Sequence, residues 1–469
     1  MDSRYSRFGK NTILVIIGNL GSKFMSFLML PFYTKWLPVE EYGEVDVINI
    51  YVSFLIGIVT CAIAEAIFVF PKGIERSKQI SYFSSGVNFI ILVYLVLAAV
   101  FELLDYLFSV HNVFNSFSNN LWSIYGILIT SSLQQFFQQF TRSIDKIVTY
   151  SVSGIVLTIV SIIISLILIP VYGVVGYITA TIIGHLVAAL YACVCSKAYQ
   201  FYSFKESNKK ACLEMLKYST PLVPNNVMWW IVNALNRPVM EACLGLEAIG
   251  LFAVANKFPA AISNAFAMFA ISWQISVLEE FGKDGYCNFF NRIFRWVIFV
   301  MVIGGCIISI FSYEIIGIFA DPKYVESWRY VPVLTLSSLF LAVSGFAGSN
   351  FSATKESKYF FYSSVWGALT ALVANAIFIP MMGTMGACIS VVFSFLVMSY
   401  SRCYYCWKYV RIKNWGRIFF SILFNICVIV VVLIALPSTW KVVLYLIFIF
   451  SILITNKDIL KDIVKLIKK

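Results

Sequence analysis

Apolar stretches of about 20 residues, each enough to cross a bilayer as a helix, recur fourteen times along these 469 residues. They run over 12–36, 45–70, 81–104, 121–140, 147–169, 174–195, 218–243, 248–278, 289–319, 330–351, 360–379, 384–407, 418–436 and 442–455. The basic residues between them alternate. Of 35 Lys and Arg, 28 are assigned to every second connection or the ends, 4 to the intervening connections and 3, Lys23, Arg237 and Lys257, to span interiors. Connections on the cytoplasmic side attract such an excess, and a missing or surplus helix would put everything downstream out of phase. The chain therefore reads as an all-α polytopic membrane protein with about fourteen transmembrane helices and both termini in the cytoplasm. Arg402, Lys408, Arg411, Lys413 and Arg417 are assigned together to one such basic connection.

Composition excludes other classes. With 60% apolar and 12% charged residues and a mean hydropathy of +0.85, water cannot be the main solvent. The net charge of +12 is spread over loops with no soluble module to organise it, so anionic lipid headgroups are the expected partner and nucleic acid is not. In the basic tail 457–469, Ile459, Leu460, Ile463, Val464, Leu466 and Ile467 share one helical face opposite lysines, a pattern for lying on the cytoplasmic leaflet. The first window is too long for a cleaved signal sequence. Cys403 and Cys406 form a lone C-x-x-C without a second ligand pair, so no metal is expected.

The chain also matches itself. At an offset of 207, Asn19 meets Asn226, Pro31 meets Pro238, Leu37 meets Leu244, Glu40 meets Glu247, Gly43 meets Gly250 and Asn49 meets Asn256. At 210, Pro170, Gly173 and Gly176 meet Pro380, Gly383 and Gly386, so P-x-x-G-x-x-G is written twice. A duplicated unit of six spans begins and ends on the same face, which predicts two lobes of like orientation enclosing a cavity. The expected division is 1–200 for the first six-helix lobe, 201–217 for a cytoplasmic linker, 218–408 for the second lobe, 409–456 for two peripheral helices and 457–469 for the tail.

With its asparagine at position 19, Leu30-Pro31-Phe32 and Leu37-Pro38-Val39-Glu40-Glu41-Tyr42-Gly43, the opening of the chain resembles the Wzx-type polysaccharide (O-antigen) flippases of the polysaccharide transporter family. These belong to the multidrug, oligosaccharidyl-lipid and polysaccharide exporter superfamily. The resemblance implies a lipid-linked oligosaccharide as substrate. One departure stands out: that family often closes its second helix with Gly and a nearby Arg, where this chain has Ala64-Glu65-Ala66, so no substrate-binding Arg carries over to that place.

Ionisable residues inside spans are costly and usually face a cavity or a partner. Lys23, Arg237 and Lys257 are three cations against the single anion Glu65, a surplus suited to phosphate, which Arg grips with a planar fork and Lys as a point charge. The amides of Asn19, Asn226, Asn233 and Gln138, with Asn225, Asn236, Gln134, Gln135 and Gln139 beside them, suit sugar hydroxyls. Trp229 and Trp230 offer stacking faces. Snorkelling, internal ion pairs and interhelical hydrogen bonds are the structural alternatives. Pro221, Pro224 and Pro238 make the seventh span the expected bending element. Glu65 is the candidate for coupling to H+ or Na+, membrane potential being the alternative drive; no cofactor is expected.

These readings converge on a non-enzymatic flippase of the bacterial inner membrane. It would move an undecaprenyl-pyrophosphate-linked oligosaccharide from the cytoplasmic to the outer leaflet by alternating access, for O-antigen, capsule or another surface polymer, with membrane lipids around it and a polysaccharide polymerase as a further partner. A lipid II or teichoic-acid precursor flippase is the nearest rival. A multidrug exporter would favour an anionic cavity, a glycosyltransferase or polymerase would need a larger outer loop, and an ATP-driven pump would need a nucleotide-binding loop that the sequence lacks.

Overall fold

The computed structural model describes residues 27–111, 115–354, 356, 358–434 and 438–457; the predicted amphipathic tail lies outside them from residue 458 onward. The described residues form helices and short 3-10 turns and no strand. A bilayer leaves a backbone no partner except itself, and a helix satisfies it locally. In chain order the helices are α1 Leu30–Trp36, α2 Val39–Val59, α3 Ile63–Val69, α4 Arg76–His111, α5 Ser116–Asn119, α6 Leu121–Ser143, α7 Ile147–Ser196, α8 Lys209–Ser219 and α9 Val223–Ala234. They continue with α10 Asn236–Leu244, α11 Leu246–Glu280, α12 Tyr286–Ile310, α13 Ser312–Phe319, α14 Val331–Ala353, α15 Lys358–Met382, α16 Thr384–Cys406, α17 Trp415–Leu433 and α18 Ser438–Thr455.

This is the all-α polytopic membrane fold that the hydropathy predicts. Among the described residues nine helices are long and apolar enough to cross a membrane, with α7 counted once although it contains two expected spans. The 23-residue α6 is not among those nine; the four glutamines at 134, 135, 138 and 139 lower its hydropathy. Outward faces are apolar: Leu92, Leu95 and Val96 of α4 and Ile167, Val171 and Val175 of α7 are more than half exposed. Patches of that extent need lipid rather than water.

Three windows are broken in mid-course. The second divides into α2 and α3 at Cys61 and Ala62, both in the left-handed region with φ of 49° and 53°. The seventh divides between α9 and α10 at Leu235. Pro238 accounts for that break, because it has no N–H to offer the carbonyl four residues back, at Ala234. The ninth divides at Phe311 between α12 and α13.

Contacts divide the chain into two compact units, 1–230 and 231–469, a boundary later than the expected start of the second lobe at 218. Trp230 explains the shift. Its indole Nε1 donates to the Ile50 carbonyl at 3.0 Å and its ring packs 4.3 Å from Phe54, holding the first part of α9 on α2. The core of the first unit is aromatic, with Phe83 of α4 set 4.4 Å from Phe140 and 5.7 Å from Phe136 of α6. Gly86 is required there, since a Cβ would stand 2.5 Å from the Phe136 ring. Nearby the Tyr94 hydroxyl donates to the Leu128 carbonyl at 2.8 Å.

In the second unit α14 is the central element, buried over 83% of its most apolar window. Trp273 of α11 stacks on Phe346 of α14 at 4.2 Å, and Tyr286 of α12 donates to Asn350 Oδ1 at 2.6 Å. Arg402 corrects the sequence reading. It is 2% exposed within α16 rather than part of a solvated connection, and donates to Ser363 Oγ at 3.0 Å, the Ser344 carbonyl at 3.3 Å and Ser364 Oγ at 3.5 Å. It also lies over the Phe360 ring. The planar guanidinium thereby ties α14, α15 and α16 together.

The repeated P-x-x-G-x-x-G forms the same corner in each unit. Gly173, inside α7, has φ +52° and Gly383, between α15 and α16, has φ +61°, a region that only glycine enters freely. Three residues on, a Cβ at Gly176 would strike the Leu168 carbonyl, and one at Gly386 would strike the Phe378 carbonyl. Both glycines thus let the returning helix close on backbone. Gly176→Ala and Gly386→Ala should each destabilise the protein by about 1–3 kcal/mol through overpacking, whereas Gly304→Ala, into open space, should be neutral or slightly stabilising. Thermal unfolding of the purified variants in detergent checks the contrast.

Candidate functional site

Polar side chains collect at one cavity in each unit. The first, of about 200 Å³, lies among α2, the break at 60–62, α3, α6 and the start of α9. Ser53, Gly57 and Thr60 come from α2 and its end, Glu65 from α3, Gln135 from α6 and Asn226 from α9. Gly57 is where α9 comes near, with Asn226 Nδ2 4.0 Å from the place of its missing Cβ. Glu65 and Asn226 are both exposed into this space.

The second cavity, of about 150 Å³, is lined by Asn233, Arg237, Asn256, Ser263, Asn264 and Ser337, among others. Arg237 is 5% exposed. Its Nη1 donates to the Asn233 carbonyl at 2.7 Å and to Asn236 Oδ1 at 2.9 Å, and its guanidinium lies 4.6 Å above the Phe252 ring. These contacts fix the cation in place and show that it does not snorkel. Ser263 donates to Ser338 Oγ at 2.9 Å, and Ser338 to the Pro259 carbonyl at 2.8 Å.

Both cavities use the same face of the repeated helix. Ser53, Ile56 and Gly57 of α2 lie 207 positions before Ala260, Ser263 and Asn264 of α11. Duplication does not extend to every polar group. Asn256 lines its cavity, while Asn49 donates to the Val45 carbonyl at 2.9 Å and to the Tyr177 hydroxyl at 3.0 Å.

The candidate residues therefore separate. Glu65 and Asn226 meet in the first cavity, Asn233 and Arg237 in the second. Lys257 is half-buried on α11 and lines neither. Asn19 and Lys23 lie outside the described residues. Gln138 accepts from Gln134 Nε2 at 2.8 Å and donates to the Tyr150 carbonyl at 3.0 Å, so its amide joins α6 to α7, and Gln135 is the α6 glutamine that reaches the cavity. Among the described residues no three His, Cys, Asp or Glu side chains are grouped as a metal site would need.

Residues 8–273, more than half of the chain, match the profile of a family described as polysaccharide biosynthesis protein. No curated protein matches the sequence. Among solved structures, the lipid II flippase MurJ in an inward closed conformation is similar with a TM-score of 0.74 at 18% identity, over 96% of this chain and 100% of that one. An inward-facing multidrug resistance transporter of the MATE family and MOP superfamily has a TM-score of 0.67 at 11% identity, over 82% and 93%. A MATE transporter of Vibrio cholerae has a TM-score of 0.56 at 14% identity, over 86% and 96%. These likenesses establish the fold.

The Arg237 cluster can be tested by itself. Arg237→Met should lower stability by about 1–3 kcal/mol, because the Asn233 carbonyl and Asn236 amide lose their donor. Adding Asn236→Leu should recover part of the loss, as replacing both partners of a buried bond costs less than removing one. A double-mutant cycle of thermal unfolding measures the coupling.

Proposed function

The chain belongs to the polysaccharide biosynthesis protein family, and from that premise we propose that it is a flippase. It carries an undecaprenyl-pyrophosphate-linked oligosaccharide from the cytoplasmic to the outer leaflet of a bacterial inner membrane by alternating access. The carrying observation is the pair of amide- and hydroxyl-lined cavities inside helices whose outer faces are apolar. Polar groups gathered at membrane depth are retained where a polar cargo passes. Gln135, Asn226, Asn233, Asn256 and Asn264 hold sugar hydroxyls. Each cavity is smaller than the roughly 300–1,000 Å³ typical of small-molecule sites, which suits contact with one sugar at a time rather than enclosure of an oligosaccharide.

In this reading Lys23, Arg237 and Lys257 supply positive charge toward the phosphates, and Glu65 binds H+ or Na+ to couple transport, with membrane potential as the alternative drive. Membrane lipids surround the protein, and a polysaccharide polymerase receives the delivered unit. The protein itself is not an enzyme. A lipid II or teichoic-acid precursor is the nearest alternative cargo, and the glycan delivered belongs to O-antigen, capsule or another surface polymer.

Depletion of the protein, followed by leaflet-resolved assay of lipid-linked sugars, tests this proposal. We expect a completed oligosaccharide to accumulate on the cytoplasmic leaflet; a shortened glycan would identify an enzyme instead, and an unchanged distribution would refute transport. Gln135→Ala and Asn226→Ala should slow transfer about tenfold each, as expected for lost hydrogen bonds of roughly 1.4 kcal/mol, at unchanged protein level. Glu65→Gln should remove the dependence on an H+ or Na+ gradient.

A further inference from the structure

Beyond the first cavity, two basic residues of the first unit share one aromatic ring. Arg142, at the end of α6, places its guanidinium carbon 4.0 Å from the Phe68 ring centre, and Lys72, just after α3, places Nζ 5.6 Å from it. Since both charges sit over the same ring, they are no farther apart than about 10 Å, one Debye length. Among the described residues neither is paired with a carboxylate, and both are exposed. Stacking on Phe68, and 5.7 Å from the Tyr150 ring, holds the guanidinium by its face and leaves its in-plane donors available.

The pair lies in line with the cavity. Gln135, Gln139 and Arg142 are spaced i, i+4 and i+7, along one face of α6, and Arg142 is two turns, about 10 Å, beyond Gln135. Between them the Gln139 Oε1 is buried with no hydrogen-bond partner among the described residues. On the facing α3, Glu65 and Phe68 stand three residues apart, and Lys72 follows in the turn after the helix. The second unit does not repeat the arrangement, since Glu279 stands 207 positions after Lys72. A charge needed only to orient the membrane helices would have no reason to be clamped on a ring beside a cavity in one repeat alone.

We infer that Arg142 and Lys72, mounted on Phe68, form a docking site for the diphosphate of a lipid-linked substrate at the basic, cytoplasmic end of the first cavity, so that the first sugar faces Gln139, Gln135 and Asn226. This rests on the flippase reading and adds a place of entry to it. Arg supplies a bidentate fork and Lys a second point charge, a pairing matched to adjacent phosphate groups.

The test uses the full-length protein in phosphatidylcholine nanodiscs, with inorganic pyrophosphate and undecaprenyl diphosphate as probes. Lys72→Gln/Arg142→Gln should weaken binding of both about tenfold or more, with Arg142→Lys between that variant and wild type, and with the thermal midpoint unchanged because both side chains are exposed. A large excess of phosphatidylglycerol should displace little of either probe. Equal binding by the double variant, absence of pyrophosphate binding to the wild type, or equally effective displacement by phosphatidylglycerol would overturn the site, the last showing a general contact with anionic lipid. Transport is scored separately: a wild type that binds pyrophosphate through these residues but moves no lipid-linked sugar would refute the flippase reading and leave the anion site standing.

Discussion

The constraint on which this structure depends is that hydrocarbon offers no hydrogen bond. Each polar group at membrane depth must find its partner within the protein. Many described polar side chains do so on their own helix: Thr34 donates to the Leu30 carbonyl, Thr158 to Gly154, Ser390 to Gly386 and Ser394 to Ser390. Buried Arg402 is the extreme case, its fork divided among two serine hydroxyls and a carbonyl on neighbouring helices. Against that background a polar atom left unmatched among the described residues, such as Gln139 Oε1 or Asn236 Nδ2, marks a place where a further polar partner would complete the set.

Duplication supplied the frame, and divergence supplied the chemistry. The glycine corners at 173–176 and 383–386 are copies down to the carbonyl that each glycine admits, because close backbone approach tolerates no side chain. Residues lining the cavities are freer to differ. Ser53, Ile56 and Gly57 face one cavity where Ala260, Ser263 and Asn264 face the other, so the same helical stripe offers different hydrogen-bonding groups in each unit. The first cavity carries an anion, Glu65, and the second a cation, Arg237.

Spans were legible in the sequence because a bilayer demands about 20 apolar residues in a row, and the glycine corners were legible because P-x-x-G-x-x-G is a backbone requirement written in residue types. Side-chain direction was less so. Gln138 and Gln135 are three residues apart on α6, yet one binds Tyr150 and the other reaches the cavity; periodicity places both on a broad face without telling which part of that face meets a neighbouring helix. Charge density alone puts Arg402 in a connection, because it cannot separate the last turns of a buried helix from the loop after it. The break at Cys61–Ala62 left no trace, since neither residue is a helix breaker.

That break forms part of the wall of the first cavity, where Thr60 and Ala62 line it. A left-handed residue other than glycine costs roughly 1–2 kcal/mol, and two in succession persist only where the surroundings hold them. Here Ala62 N–H bonds to the Gly57 carbonyl at 3.0 Å and Ile63 N–H to that of Thr60 at 3.1 Å, closing the backbone across the turn. With the helix restarted at Ile63, Ser53 and Glu65 line the same space. The equivalent stretch of the second unit, Ala267 to Phe269, runs on as unbroken helix within α11. Glu65 thus stands in the first turn of a helix restarted after a strained break, and that strain is one the described residues of the other repeat do not carry.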